Sequence, residues 1–163
     1  MGCGWRLRGA TIRRAEIWQV ASLLDLSFAA NQAARSPITA ALTRLRLALD
    51  VERRTTPWDW CRHQQFVVED TSTGRLLGFA ELWAENAAAC GAAEAATPQP
   101  VVFNLCVAAS ARRTGVAQAL LRRCEEASRS WGDRQLYLKV CRLPSSPRLA
   151  LPFLFSTSCT RAS

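Results

Sequence analysis

The stretch VVFNLCVAASARRTGVAQALLRRCEEASRSWGD, residues 101–133, constrains the fold of this chain more than any other. The nearly continuous apolar run VVFNLCVAA has the pattern of a strand buried on both faces. It passes through ARRTG straight into a helix in which Val116, Leu120, Cys124, Ala127 and Trp131 share one face, with Arg122, Arg123, Glu125 and Glu126 largely on the other. WGD stops that helix, and RQLYLKV then alternates like another strand. Strand, crossover helix and strand in this order imply a parallel pair within one sheet.

The upstream segments supply the rest of a domain. ATIRRA, residues 10–15, reads as a short first strand, and EIWQVASLLDLSF carries the broad apolar stripe of a helix. SPITAALTRLRLALDVERR opens with Ser36 as a cap and Pro37 at the first helical position, so it predicts a second helix. QQFVVED and RLLGFAELWAE, joined by the turn TSTG, predict an antiparallel hairpin, and NAAACGAAEAATPQP has no period and reads as a loop. The sum is an α/β chain of the α+β kind: a mixed central sheet with flanking helices. Residues 1–9 are expected to be an N-terminal extension, residues 10–140 the folded domain, and residues 141–163 a Pro/Ser-rich tail, poorly ordered and without helix or strand.

Composition bounds what such a domain can do. The length of 163 residues suits one domain, and 49% hydrophobic against 21% charged residues is globular usage. Arginine supplies almost all of the net charge of +8, since Lys139 is the only lysine. Arginine is a good fork for phosphate, but the charges are spread along the chain with no interleaved basic and aromatic motif, so no specific nucleic-acid partner is expected. Richness in Arg and Ala together has the look of a genome's compositional bias.

The 7 cysteines are scattered without a C-x-x-C pair, and His63 is the only histidine. Neither a metal site nor a secreted disulfide scaffold is expected, and a reducing compartment fits. No apolar run is long enough to span a membrane, so no membrane partner is expected. Arg6 stands where N-myristoylation wants Ser or Thr. The first residues bear arginine and no acid, as transit peptides do, but they are too few and too poor in serine, so a transit peptide is either missing from this chain or never existed.

The turn between strand and helix has its own chemistry. AASARRTG aims several backbone N–H groups and the positive end of a helix dipole at one point, which suits a phosphate. Gly115 lets the backbone approach an anion, and Arg112 and Arg113 can add charge-assisted contacts. The turn has no Gly-x-x-x-x-Gly-Lys-Ser/Thr and a single glycine where a dinucleotide fingerprint has three, which argues against NTP hydrolysis and NAD chemistry.

NLCVAASARRTGVAQALLRRCEEASRSWGDRQLYLKV, residues 104–140, resembles the acetyl-CoA motif of the GNAT superfamily of acyl-CoA N-acyltransferases, whose Arg/Gln-x-x-Gly-x-Gly/Ala is matched by Arg112, Gly115 and Ala117. The hairpin FVVEDTSTGRLLGFAELW is similar to that family's second and third strands, and TIRRAEIWQVASLLDLSF to its opening strand and helix. NLCV, RRTGVAQALL and WGDRQLYLKV look most like the plastid N-acetyltransferases of plants and algae, which implies a plastid location, or otherwise the cytoplasm. The resemblance implies acetyl-CoA as cosubstrate. It places the pantetheine arm along the backbone of Leu105, Cys106 and Val107, and the pyrophosphate on the amides of Arg112, Arg113, Thr114, Gly115, Val116 and Ala117.

The implied reaction is direct attack of a primary amine, on a protein N-terminus, a lysine or a small molecule, upon the thioester. The family's Asn-x-x-Ala-x-x-x-Tyr segment is absent, which implies a chain lacking the last helix and strands. An inactive acetyl-CoA-binding remnant or a splice variant is the alternative. Glu81 and Glu85 are the carboxylates near the expected acceptor side that could act as base or hold a base water. Tyr137 and Cys106 read as packing residues, and His63, near Trp58 and Trp60, reads as part of a packed connection.

Overall fold

The computed structural model describes residues 4–9, 12–28, 35–55, 62–86, 98–141 and 157–162. Among these residues six strands make one sheet in chain order: β1 (Trp5–Gly9), β2 (His63–Asp70), β3 (Leu76–Asn86), β4 (Pro98–Val107), β5 (Leu136–Cys141) and β6 (Thr157–Ala162). Every neighbouring pair is antiparallel except β4 and β5, which are parallel. The mixed sheet is therefore the one expected. Helices α1 (Ile17–Phe28) and α2 (Pro37–Thr55) lie on one side of it, and α3 (Val116–Ser130) is the crossover between β4 and β5.

Alternation sorts the core into two layers. Val67, Phe79 and Cys106 face α1 and α2, where they pack with Val20, Leu24 and Val51. Phe66, Val68, Ala80, Leu82 and Val102 face α3 and pack with Val116, Leu120 and Cys124. The crossover helix sits very close to β3, because a Cβ on Gly78 would lie 2.8 Å from Val116 Cγ1 and 3.1 Å from Leu120 Cδ1. Bare backbone at Gly78 is what lets α3 lie flat on the sheet.

Local chemistry explains the helix ends. Ser36 Oγ accepts the Thr39 N–H at 3.2 Å, the cap expected at α2. Before α1, Glu16 reaches back to the Arg13 N–H at 2.9 Å. Asp25 of α1 is buried and accepts from Arg35 at 2.6 Å and from Arg44 of α2 at 3.0 Å, so the two helices are clasped by charge as well as by packing. α3 closes at Trp131, and Gly132 takes a left-handed φ of 87° directly after it.

Three boundaries differ from expectation. The first strand is Trp5–Gly9, within the stretch read as an extension, while residues 14 and 15 of the expected strand begin a 3₁₀ turn that ends at Glu16 and residues 10–11 lie outside the described residues. The signal was the alternation W-R-L-R: Trp5 and Leu7 pack toward α3, and Arg6 and Arg8 reach Glu69 on the other face. β4 begins at Pro98, inside the expected loop. Its prolines stand at the strand's opening positions, where a missing N–H is tolerated.

The last helix and strands were expected to be missing, yet Thr157–Ala162 forms β6, antiparallel to β5 from Leu136↔Ala162 to Cys141↔Thr157. Composition pointed the other way because proline and serine crowd residues 142–156, which lie outside the described residues. The short segment beyond them pairs with the backbone edge that β5 presents.

Candidate active site

β4 changes character halfway along. It pairs with β5 at Val101↔Tyr137 and Val102↔Leu138, and among the described residues Leu105–Val107 have no β5 partner. At the same level its register with β3 slips, so that Phe79↔Cys106 is followed by Glu81↔Phe103. The extra residue is a β-bulge, and Asn104 inside it adopts a left-handed φ of 51°, which asparagine tolerates better than most residues. Beyond Val102 the ladder stops although Lys139–Cys141 continue as strand, so among the described residues a gap opens between the two parallel strands, and the main chain of residues 105–107 carries on from its β4 side. Leu105 and Val107 turn their side chains toward α3 and Cys106 turns toward α1 and α2, which leaves the backbone to address the gap.

The same strand runs on into the phosphate-type turn. Ala109–Ala111 make a 3₁₀ turn, Arg113 has a left-handed φ of 66°, and Gly115 at φ 87° is the N-cap of α3. Among the described residues no side chain caps this helix, which leaves its first-turn N–H groups to a ligand or solvent. Arg112, Arg113, Thr114 and Ala117 are exposed and Val116 is buried against Gly78, so the turn is anchored at its root and open at its rim. Thr114 Oγ1 ties the turn internally by donating to the Ala111 carbonyl at 2.7 Å. A Cβ at Gly115 would meet nothing within 4 Å; its need for glycine is conformational.

At the inner end of the gap stands Glu81. The carboxylate is only 1% exposed and gathers donors from three elements. His63 Nε2 of β2 is 2.7 Å from Oε1, while Asn104 Nδ2 of β4 and Arg54 Nη1 of α2 lie 2.8 and 3.1 Å from Oε2. Burial, the strongest single influence, opposes its ionisation. The His63 hydrogen bond, the Arg54 charge and the Asn104 amide together outweigh it and hold the carboxyl below its ordinary range. The His63 ring leans on Trp83, with ring centroids 5.3 Å apart. Gln65 sits directly opposite Glu81, and its buried Nε2 has no partner among the described residues.

The expected site residues thus divide. Leu105, Cys106 and Val107 line the gap, and Arg112–Ala117 form the open turn, in one continuous run. Glu81 joins the inner end of that run through Asn104. Glu85 lies two turns of the pleat further along β3, opposite Gln99, and its side chain is outside the described residues. Tyr137 donates its hydroxyl to Gln135 at 2.8 Å. Burial pushes the Cys106 thiol up to about 12, which leaves it without thiolate character at neutral pH. Sequence reasoning missed His63 and Arg54. The former was read with its near neighbours Trp58 and Trp60; its partner across the hairpin lies 18 residues on. One available signal was register, because aligning the hairpin about TSTG brings His63 to within two positions of Glu81.

Among the described residues no helix is long and apolar enough to cross a membrane, and no cluster of His, Cys, Asp and Glu could hold a metal ion. A family model described as acetyltransferase (GNAT) family matches residues 38–149. A search of curated proteins finds no match. Solved structures align over most of the chain. A GCN5-related N-acetyltransferase from Ralstonia eutropha is 18% identical with a TM-score of 0.62, covering 92% of this chain and 99% of that one. An aminoglycoside 6'-N-acetyltransferase from Acinetobacter baumannii is 14% identical with a TM-score of 0.62, covering 87% and 82%. Glucosamine-6-phosphate N-acetyltransferase from Arabidopsis thaliana is 12% identical with a TM-score of 0.58, covering 93% and 99%. At these identities the likeness is one of fold.

Proposed function

From membership of the acetyltransferase (GNAT) family, to which the chain belongs, we propose that it moves the acetyl group of acetyl-CoA to a primary amine held at the inner end of the β4–β5 gap. The observation that carries this reading is the continuity of the run from Gly115 back to Asn104. An open helix N-terminus suits the pyrophosphate, and the backbone of Leu105–Val107 suits the amide-bearing pantetheine arm. Glu81 then stands where the thioester would end, so that the chemistry and the cofactor trail share one strand.

In the transfer the amine nitrogen attacks the thioester carbonyl carbon, the C–S bond breaks, and the departing thiolate takes up a proton. Glu81 supplies the negative charge that draws an ammonium group to that end of the gap. The acceptor is a primary amine of a protein N-terminus, a lysine or a small molecule. Two neighbours in fold are named for aminoglycoside and glucosamine-6-phosphate acceptors, which supports the small-molecule class. An inactive acetyl-CoA-binding module is the second reading, and the strand covering β5 together with the organised cluster at Glu81 favour the enzyme. The likeness of NLCV, RRTGVAQALL and WGDRQLYLKV supports a place among plastid enzymes, which imaging of a fluorescent fusion in plant cells tests.

Acetyl-CoA at 100 times its Kd stabilises by about 2.7 kcal/mol, which raises Tm by about 5–10 °C for a chain of this size. The test is that shift, followed by release of CoA thiol in the presence of a blocked lysine peptide, a free-N-terminus peptide and a diamine. A shift with no thiol release from any of them sinks the enzyme reading and leaves the binding module; no shift sinks both.

A further inference from the structure

Glu81 is poorly suited to take a proton itself. Both its oxygens already accept hydrogen bonds, Oε1 from the His63 ring and Oε2 from Arg54 and Asn104, and its side chain is 2% exposed against 17% for His63. Position points the same way. Going from the turn at Gly115 along β4, the chain passes Val107, Cys106 and Leu105 before reaching Asn104 and Glu81. His63 pairs with Trp83, which pairs with Val101, so the imidazole lies one step beyond Glu81, at the end away from the turn. An amine attacking a thioester that has come down this run approaches from that far side.

We propose that His63 is the proton acceptor of the transfer, its Nδ1 taking the proton of the substrate ammonium while ionised Glu81 orients the ring through Nε2. An ionised carboxylate only accepts, so the Nε2 that meets it at 2.7 Å carries hydrogen and the neutral ring's lone pair is on Nδ1. Tilted contact with Trp83 holds the ring plane. Glu81 acts as a positioning residue, as the carboxylate partner of an imidazole does in hydrolytic triads. Among the described residues the charged partners of this cluster are Glu81 from β3, which meets His63, and Arg54 from α2, which meets Glu81 and is also paired with Asp50.

The proton balance closes. Nδ1 takes one proton from R–NH₃⁺, the free amine forms the new C–N bond, and the C–S bond breaks. The remaining surplus N–H proton goes to the leaving sulfur, and His63 returns its own proton to solvent. Amide and free thiol are the products.

This inference rests on the acetyltransferase reading, and two measurements on the full chain separate them. The first needs no turnover: His63 is the only histidine, so ¹⁵N NMR of labelled protein above its titration reports one imidazole. We expect hydrogen on Nε2 and a bare Nδ1, with that preference weakened in Glu81→Gln; hydrogen on Nδ1 in the wild-type chain overturns the proposal. The second is the pH profile of thiol release with whichever amine probe is turned over. Its acid limb should follow the NMR titration, and His63→Gln should lose about 10²- to 10⁴-fold in kcat while keeping the acetyl-CoA thermal shift, with added imidazole restoring part of the rate. A His63→Gln chain within threefold of wild type with its acid limb intact overturns the proposal and leaves acetyl transfer standing. A wild-type chain that binds acetyl-CoA and turns over no probe removes the acetyltransferase reading, and this one with it.

Discussion

Gly78→Ala tests whether the placement of α3 governs both stability and cofactor binding. The added methyl would stand 2.8 Å from Val116 Cγ1, 3.1 Å from Leu120 Cδ1 and 3.3 Å from the Cys106 carbonyl oxygen. None of these yields easily: Val116 is β-branched in the helix's first turn, Leu120 is fully buried, and the third is backbone. Overpacking of this kind costs about 1–3 kcal/mol, and replacing a strand glycine returns about 0.5–1 kcal/mol. Taking the middle of each range, the net is a loss of about 1.25 kcal/mol, or a Tm lower by about 2.5–5 °C at 2–4 °C per kcal/mol. Relief must come from α3 lifting off the sheet at its N-terminal end, where the turn at Gly115 is rooted, so acetyl-CoA affinity should fall as well. Thermal melts with and without acetyl-CoA read both quantities. Val116→Ala in the same chain should recover part of each loss, because it removes the atom nearest the new methyl. A Gly78→Ala protein that melts at or above wild type, or a double variant whose losses simply add, would refute the packing described.

Other outcomes follow from the site and its supports. Gly115→Ala meets no neighbouring atom, so its cost is the left-handed backbone alone, about 1–2 kcal/mol, seen in melts; Gly115→Asn should cost less. Glu81 and Asp25 are both held below their ordinary carboxylate range, so their ion pairs contribute full stability above that range and lose it as pH falls through the depressed values. Glu81→Gln should therefore flatten the acid limb of a Tm-against-pH curve below about pH 4.5, and an unchanged limb would count against an ionised Glu81. Asp25→Ala leaves Arg35 and Arg44 without their buried partner and should cost about 3 kcal/mol in urea unfolding, with Asp25→Asn milder.

The readable parts of this chain were those written in short-range patterns. The period in Val116–Trp131, the Ser36–Pro37 start and the turn TSTG each specify an element through neighbours a few residues apart, and all three are where expected. The run we propose for the cofactor is contiguous in the same way, a single segment from Asn104 to Ala117. The cluster at Glu81 was not legible, because Glu81, His63, Arg54 and Asn104 come from four elements and meet only once register and helix placement are fixed. Nor does any local pattern announce the bulge at Asn104, which comes from a mismatch between two strands. At the chain's two ends composition was the wrong guide. Arginine made β1 look like an extension, and proline and serine hid β6, although strand pairing needs backbone more than it needs particular side chains.

The sheet order β1-β2-β3-β4-β5-β6 follows the chain from first strand to last. None of the described strands has to be inserted between two that already lie side by side, so the sheet can grow outward from its first hairpin as the polypeptide leaves the ribosome. Each new strand finds its template waiting at the growing edge. Until Thr157–Ala162 emerges, however, β5 is that edge, with its unpaired side open to any other extended chain. The interval between synthesis of β5 and arrival of β6 is the moment when nascent copies are most prone to join one another, and slow translation through residues 142–156 would prolong it.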